Sequence, residues 1–152
     1  MAKSRFRSTT EHTMDSKGRL NFPSRFREVL NQYDSEILMV APWGKNHLRA
    51  FPLPEWEILE DRLMTEGREK PDLANFIRYV VGGVAECSLD KQGRVQLPVQ
   101  LRTKVSLAKN IMLVGMIRHV EIWDKEIWQQ DNEATSENFD SFNEQLSQMG
   151  IF

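Results

Sequence analysis

Residues 14–27 read Met-Asp-Ser-Lys-Gly-Arg-Leu-Asn-Phe-Pro-Ser-Arg-Phe-Arg, and residues 89–102 read Leu-Asp-Lys-Gln-Gly-Arg-Val-Gln-Leu-Pro-Val-Gln-Leu-Arg. With position 15 set against position 90, five pairs are identical: Asp15/Asp90, Gly18/Gly93, Arg19/Arg94, Pro23/Pro98 and Arg27/Arg102. Apolar positions agree in kind, as in Met14/Leu89, Leu20/Val95, Phe22/Leu97 and Phe26/Leu101. Downstream, Ile37-Leu38-Met39-Val40 parallels Ile111-Met112-Leu113-Val114, His47 to Phe51 parallels His119 to Trp123, and Trp56 matches Trp128. Length differences fall between the matched stretches, where loops absorb them. The chain is therefore read as one unit used twice, and that repeat governs every later assignment.

Each copy carries the same local logic. Polar and apolar residues alternate before the Asp, as in a half-buried strand. Asp-x-x-Gly-Arg supplies a turn, because a carboxylate accepts nearby amides and glycine takes positive φ without a Cβ clash. After the turn, Leu20/Phe22 and Val95/Leu97 share one face of a second strand. Pro23 and Pro98 stop that strand and open a short helix, expected over 23–31 and 98–107. Strand pairs near 36–41 with 47–51 and near 110–115 with 118–123 complete the copies. Helical spacing runs through 54–64. Asp72 is an N-cap candidate for a helix over 73–81 that Gly82-Gly83 ends, and 125–149 reads as helix interrupted near Ala134–Ser136. One such unit has too small an interior to stand alone. Two copies about a pseudo-twofold axis, sharing one core, solve that problem.

Composition narrows the function classes. The 152 residues are 40% apolar and 28% charged, which suits a globular protein. No apolar run approaches the ~20 residues that span a bilayer. The basic start lacks the apolar segment of a signal peptide, and the lone Cys87 has no disulfide partner, so the cytoplasm is the expected compartment. The formal net charge is −2. It is unevenly spread: residues 1–30 hold seven Lys/Arg against three acids, whereas 124–152 hold one base against seven acids. Phosphate responds to the local field of the contacting face, so a basic head permits nucleic-acid binding. Three scattered histidines without ligand spacing argue against a metal, and no Gly loop cradles a phosphate, so neither metal nor cofactor is expected. The repeat sets His12 opposite Cys87, which suggests a Cys–His pair across the pseudo-axis. No orienting third group accompanies it, and a buried strand cysteine is the simpler reading.

The paired Asp-x-x-x-Arg motifs, each followed by Pro-x-x-x-Arg, resemble the MraZ family over nearly the whole chain. Glu-His-Thr-Met-Asp-Ser-Lys-Gly-Arg-Leu (11–20), Leu-Pro-Glu-Trp-Glu (53–57) and Leu-Val-Gly (113–115) add to that resemblance. It implies an α+β, AbrB-like swapped-hairpin β-barrel formed by two internal repeats with flanking helices. The expected divisions are a first repeat over 5–53, a helical connector over 54–82, a second repeat over 83–124 and a C-terminal helical segment over 125–152. It further implies a ring-shaped homo-oligomer in the nucleoid. The partner is double-stranded promoter DNA, G-rich direct repeats at the division and cell-wall gene cluster, where such a protein represses transcription. Neither membrane nor small-molecule substrate is expected.

In the family the paired motif is associated with DNA binding, which carries over to Asp15, Arg19, Asp90 and Arg94. Arg19 and Arg94 can each give a bidentate pair to guanine O6 and N7. Asp15 and Asp90 are expected to fix the turn and orient the arginine, since phosphate repels a carboxylate. Lys17, Lys91, Arg5 and Arg7 are expected on phosphates. Lys91 stands one position earlier in its turn than Lys17, so the copies are expected to meet DNA unequally. Gly18, Gly93, Pro23 and Pro98 are architectural, and Arg27 and Arg102 are expected in surface or interface ion pairs. An intramolecular Asp–Arg ion pair is the competing role for Arg19 and Arg94, and the two roles can coexist. An antitoxin-like protein-interaction module, acting mainly through assembly, is the competing function.

Overall fold

The computed structural model describes residues 4–67 and 70–152. Lys3 of the basic head and residues 68–69 of the connector lie outside it. In chain order the elements are β1 (Thr9–Thr13), β2 (Arg19–Asn21), α1 (Ser24–Asn31), β3 (Ile37–Pro42), β4 (His47–Pro52), α2 (Leu53–Glu66), α3 (Leu73–Val80), β5 (Ala85–Ser88), β6 (Arg94–Gln96), α4 (Val99–Lys104), β7 (Asn110–Gly115), β8 (Val120–Asp124), α5 (Lys125–Glu137) and α6 (Phe139–Gln148). The result is a mixed α+β protein.

Six strands form one antiparallel sheet in the order β1-β7-β8-β4-β3-β5, while β2 and β6 form a separate two-stranded ribbon. Exchanging each strand for its counterpart in the other repeat reproduces both sheets. The first strand of each repeat finds its partner in the other copy: His12 opposes Ile111, and Cys87 opposes Leu38. The two hairpins then meet at β4 and β8, where Leu48 opposes Ile122. Leu20 opposes Val95 at the centre of the ribbon.

The six-stranded sheet does not close by hydrogen bonding, in contrast to the expected barrel. The reason lies in the turns. Asp15 N donates to Arg19 O and Gly18 N to Asp15 O, with the same pair of bonds at Asp90, Arg94 and Gly93. Those backbone groups are used inside the turn and cannot extend a ladder, and one isolated bridge, Leu89 to Val95, joins β6 to the sheet side of its turn.

Pro23 and Pro98 sit at the N-caps of α1 and α4 with φ of −57° and −59°. Proline is already set at the helical φ there, and its missing N–H is not needed. α4 ends at Lys104, short of the expected 107, because Ser106 adopts φ +56°. Asp72 precedes α3 without a side-chain cap bond. The C-terminal segment breaks at Asn138 rather than at Ala134–Ser136, which continue α5.

One core is drawn from both repeats: Phe6, Phe26, Leu38 and Leu48 pack with Leu97, Ile111, Leu113 and Val120, all without exposure. Phe26 meets Phe6 edge-to-face at 5.5 Å and Phe22 at 5.7 Å. A second cluster of Ala41, Phe51, Trp56 and Val80 lies beneath α2 and α3. Trp128, the repeat partner of Trp56, is only half-buried.

Because Phe26 joins α1 to the shared core, Phe26→Ala is expected to cost about 3–5 kcal/mol through lost burial and aromatic contact. A urea melt should show one lowered transition for the whole chain. Two separate transitions would contradict a core held in common.

Candidate nucleic-acid interface

The two Asp-x-x-Gly-Arg turns are near-copies in three dimensions. Asp15 Oδ1 accepts the amides of Lys17 (3.0 Å) and Arg19 (2.9 Å), and Asp15 Oδ2 accepts Arg19 Nε at 2.7 Å. Asp90 Oδ1 accepts the amides of Gln92 and Arg94, both at 2.9 Å, and its Oδ2 accepts Arg94 Nε at 3.0 Å. Gly18 and Gly93 close the turns at φ +81° and +77°, a conformation that glycine alone takes without strain.

This geometry determines what the arginines can do. Each carboxylate holds the guanidinium from its Nε side. The terminal amino groups form no other hydrogen bond among the described residues, and they are the fork that suits a two-acceptor edge. The side chains of Arg19 and Arg94 retain 33% and 29% of their exposure, so neither is interred. Ion pairing and outward presentation therefore coexist.

The ribbon sets the direction of presentation. Arg19 opposes Gln96 and Asn21 opposes Arg94, while Leu20 and Val95 between them are each 1% exposed. Alternation along a strand sends the four polar residues to the face opposite the core. The diagonal placement of Arg19 and Arg94 across the ribbon separates them by on the order of 7–8 Å. Asn21 and Gln96, both exposed, complete this face. Sequence reading used the alternation only for its apolar members and missed them, although the same period marks them.

The turns are braced crosswise. Arg102 Nε donates to Leu97 O at 3.0 Å, and a Cβ on Gly18 would lie 2.6 Å from that Nε. A Cβ on Gly93 would lie 2.5 Å from Arg27 Nη1. The arginine after each proline thus packs against the turn of the other repeat. Within the chain, neither Arg27 nor Arg102 forms an ion pair among the described residues. The amides of Phe22 and Leu97 also cross over, donating to Gly93 O and Gly18 O at 2.9 Å.

Lys17 and Lys91 are exposed in the turns. Arg7 precedes β1 and so lies beyond its far end, roughly 13 Å of strand away from the turn. Arg5 lies with Tyr33, Glu55 and Arg118 in another depression, where the Tyr33 hydroxyl donates to Glu55 Oε2 at 3.2 Å. The structure gathers Asp15, Lys17, Arg19, Asp90, Lys91 and Arg94 with Gly18 and Gly93, and sets Arg5 and Arg7 apart.

The Cys–His pair suggested by the repeat is not formed. β1 and β5 are opposite edges of the six-stranded sheet, His12 Nε2 bonds Thr10 Oγ1 at 2.7 Å, and the Cys87 thiol, packed in the shared core, donates to Ala85 O at 3.9 Å. Burial pushes the Cys87 thiol up to about 11, away from the thiolate that a nucleophile needs. His119 stacks on Phe51, and burial lowers its pKa to about 4.

The family described as "MraZ protein, putative antitoxin-like" matches the chain twice, over residues 5–78 and 80–149. "Transcriptional regulator MraZ" of Leuconostoc citreum (strain KM20) is 40% identical over 141 residues, covering 93% of this chain and 96% of the relative. The protein of the same name from Limosilactobacillus reuteri (strain DSM 20016) is 39% identical, covering 90% and 93%. That of Desulfitobacterium hafniense (strain DSM 10664 / DCB-2) is 39% identical, covering 92% and 95%.

Two predictions follow from the turn geometry. Alanine at either glycine meets a positive φ worth roughly 1–3 kcal/mol. Gly18→Ala should destabilise more than Gly93→Ala. Its Cβ would stand 2.7 Å from the Leu97 carbonyl, whereas the Gly93 neighbours are the tip of a side chain. Equal urea midpoints would contradict the bracing described. Second, the amide of Arg19 is the main cause that lowers the Asp15 pKa, and that of Arg94 does the same for Asp90. A lowered folded pKa means that the turn gains stability above the ordinary carboxylate range and loses it only as pH falls through the lower, folded value. The Arg19 and Arg94 amide NMR signals should therefore titrate below ~3.9, and midpoints above it would count against the bonds.

Proposed function

The chain belongs to the MraZ family, and from that premise we propose that it is a DNA-binding transcriptional regulator whose β2–β6 ribbon reads guanine edges in the major groove. The family is one of transcriptional regulators rather than enzymes. One observation carries the reading: two Asp-tethered arginines leave a single ribbon by the same face, each with its terminal fork unbonded among the described residues. A two-stranded ribbon fits the major groove, and Arg on guanine O6 and N7 is the commonest specific contact there. Their separation is about two base-pair rises of ~3.4 Å. Asp15 and Asp90 act as orienting residues, and Lys17 and Lys91 reach flanking phosphates. Arg5 and Arg7 serve phosphates farther along the duplex.

The exchange of β1 and β5 between repeats supports an AbrB-like, swapped-hairpin relationship, with 5–53 and 83–124 as the repeats, 54–82 as connector and 125–152 as C-terminal segment. The helix α6 and its C-cap carry exposed Phe139, Phe142, Leu146 and Met149 at three- and four-residue spacing. That unpartnered stripe supports a homo-oligomer, read here as a ring. A ring presents several ribbons to direct repeats, so weak single contacts sum by avidity. The proposed action is repression at the promoter of the division and cell-wall gene cluster, in the cytoplasm and on the nucleoid, without cofactor or small-molecule substrate. The same stripe favours the second reading, a protein-interaction module of antitoxin type.

A gel-shift series on a duplex of G-rich direct repeats from upstream of the protein's own gene tests both. Arg19→Ala and Arg94→Ala should each weaken binding roughly 5- to 150-fold and flatten guanine preference, from ~1–3 kcal/mol per bidentate pair. Affinity of the native chain should fall steeply with salt. A flat salt response would favour the interaction module, and unchanged affinity and preference in both variants would remove the arginines from the mechanism.

A further inference from the structure

The guanidinium groups account for half of the outward ribbon face. The other half is two carboxamides, Asn21 directly across from Arg94 and Gln96 directly across from Arg19. An amide presents one donor and one acceptor in a plane, matching adenine N7 and N6–H as a guanidinium matches guanine. Resting on the DNA-reading role proposed above, we infer that Asn21 is a base-reading residue that selects adenine beside the guanine read by Arg94.

The two amides are not equivalent. Gln96 Nε2 donates one N–H to Lys17 O at 3.0 Å, so its amide is tied to the opposite turn, with its second N–H and its Oε1 left for a ligand. Asn21 is exposed and its side chain makes no hydrogen bond among the described residues, so donor and acceptor are both available. Its backbone is held by the Arg94 register, and its inward neighbours Leu20 and Phe22 are 1% and 2% exposed. The amide thus projects from a rigid point. A phosphate contact would use the donor alone and leave the choice of base unaffected. Gln96, whose amide is held by its bond to Lys17 O, is a positioning residue for the Lys17 turn.

The experiment is selection from a double-stranded DNA pool with a randomised central segment, using the full chain and its Asn21→Ala, Asn21→Thr, Gln96→Ala and Arg19→Ala variants. Circular dichroism melts confirm that each is folded; Asn21→Thr keeps strand propensity if Asn21→Ala is unstable. The native chain should enrich guanines and an adenine at fixed spacing. Both Asn21 variants should keep the guanines and lose the adenine. Their affinity for the selected duplex should fall roughly ten-fold, with no further loss when that A·T pair is replaced. Gln96→Ala should retain the adenine and show faster hydrogen exchange in the 15–18 turn. Undiminished adenine selection by both Asn21 variants would overturn the inference while leaving the arginine reading intact. If the native chain enriches no sequence, or Arg19→Ala leaves the guanines unchanged, the DNA-reading role fails and the inference with it.

Discussion

The structure depends on strand exchange between the repeats. β1 has its ladder partner in β7 and β5 has its partner in β3, so neither repeat can satisfy the backbone of its own first strand. A repeat of this size also lacks the interior to offset the entropy of ordering itself. Exchange meets both needs together, because the strand that crosses over brings its apolar face with it. Phe6 and Phe26 from one copy and Leu97 and Ile111 from the other become a single core. The ribbon at Leu20 and Val95 and the β4–β8 pair at Leu48 and Ile122 are where equivalent strands of the two copies meet.

That placement explains why the candidate interface is rigid although it is built from two short strands. Three-residue strands hold little by themselves. Here each turn is fixed internally by an aspartate that accepts three donors, and externally by an arginine from the other repeat. Arg27 and Arg102 fill the space that the missing Cβ of Gly93 and Gly18 leaves open. The glycines thus serve twice, in backbone conformation and in close approach.

Much of this was legible in the sequence. The Asp-x-x-Gly-Arg pair announced the turns, and Pro23 and Pro98 marked where strand becomes helix, because those residues act through local backbone chemistry. The Asp–Arg ion pair, the competing role for these arginines, formed and did not consume them. What the sequence did not carry was pairing between distant segments. The crosswise packing of Arg27 and Arg102, the separation of Arg5 from the turns, and the distance between His12 and Cys87 all follow from which strand lies beside which, and equivalence in a repeat is not adjacency in space. Asn138, where φ of −103° ends α5, had no nearby glycine or proline to flag it. Ala134, a strong helix former, outweighed the Thr135 and Ser136 that had suggested a break.

Covalent linkage of the two halves has a consequence for the grammar of any bound duplex. In a dimer of identical chains, every substitution appears twice, and the contact surface stays palindromic. Here Lys17 and Lys91 occupy different steps of their turns, and Gln96 reaches across to Lys17 O, while no matching bond from Asn21 reaches the second turn among the described residues. The ribbon therefore has a front and a back. A partner read by such a surface acquires polarity, and successive copies bound along it would all face the same way, like cars in one lane.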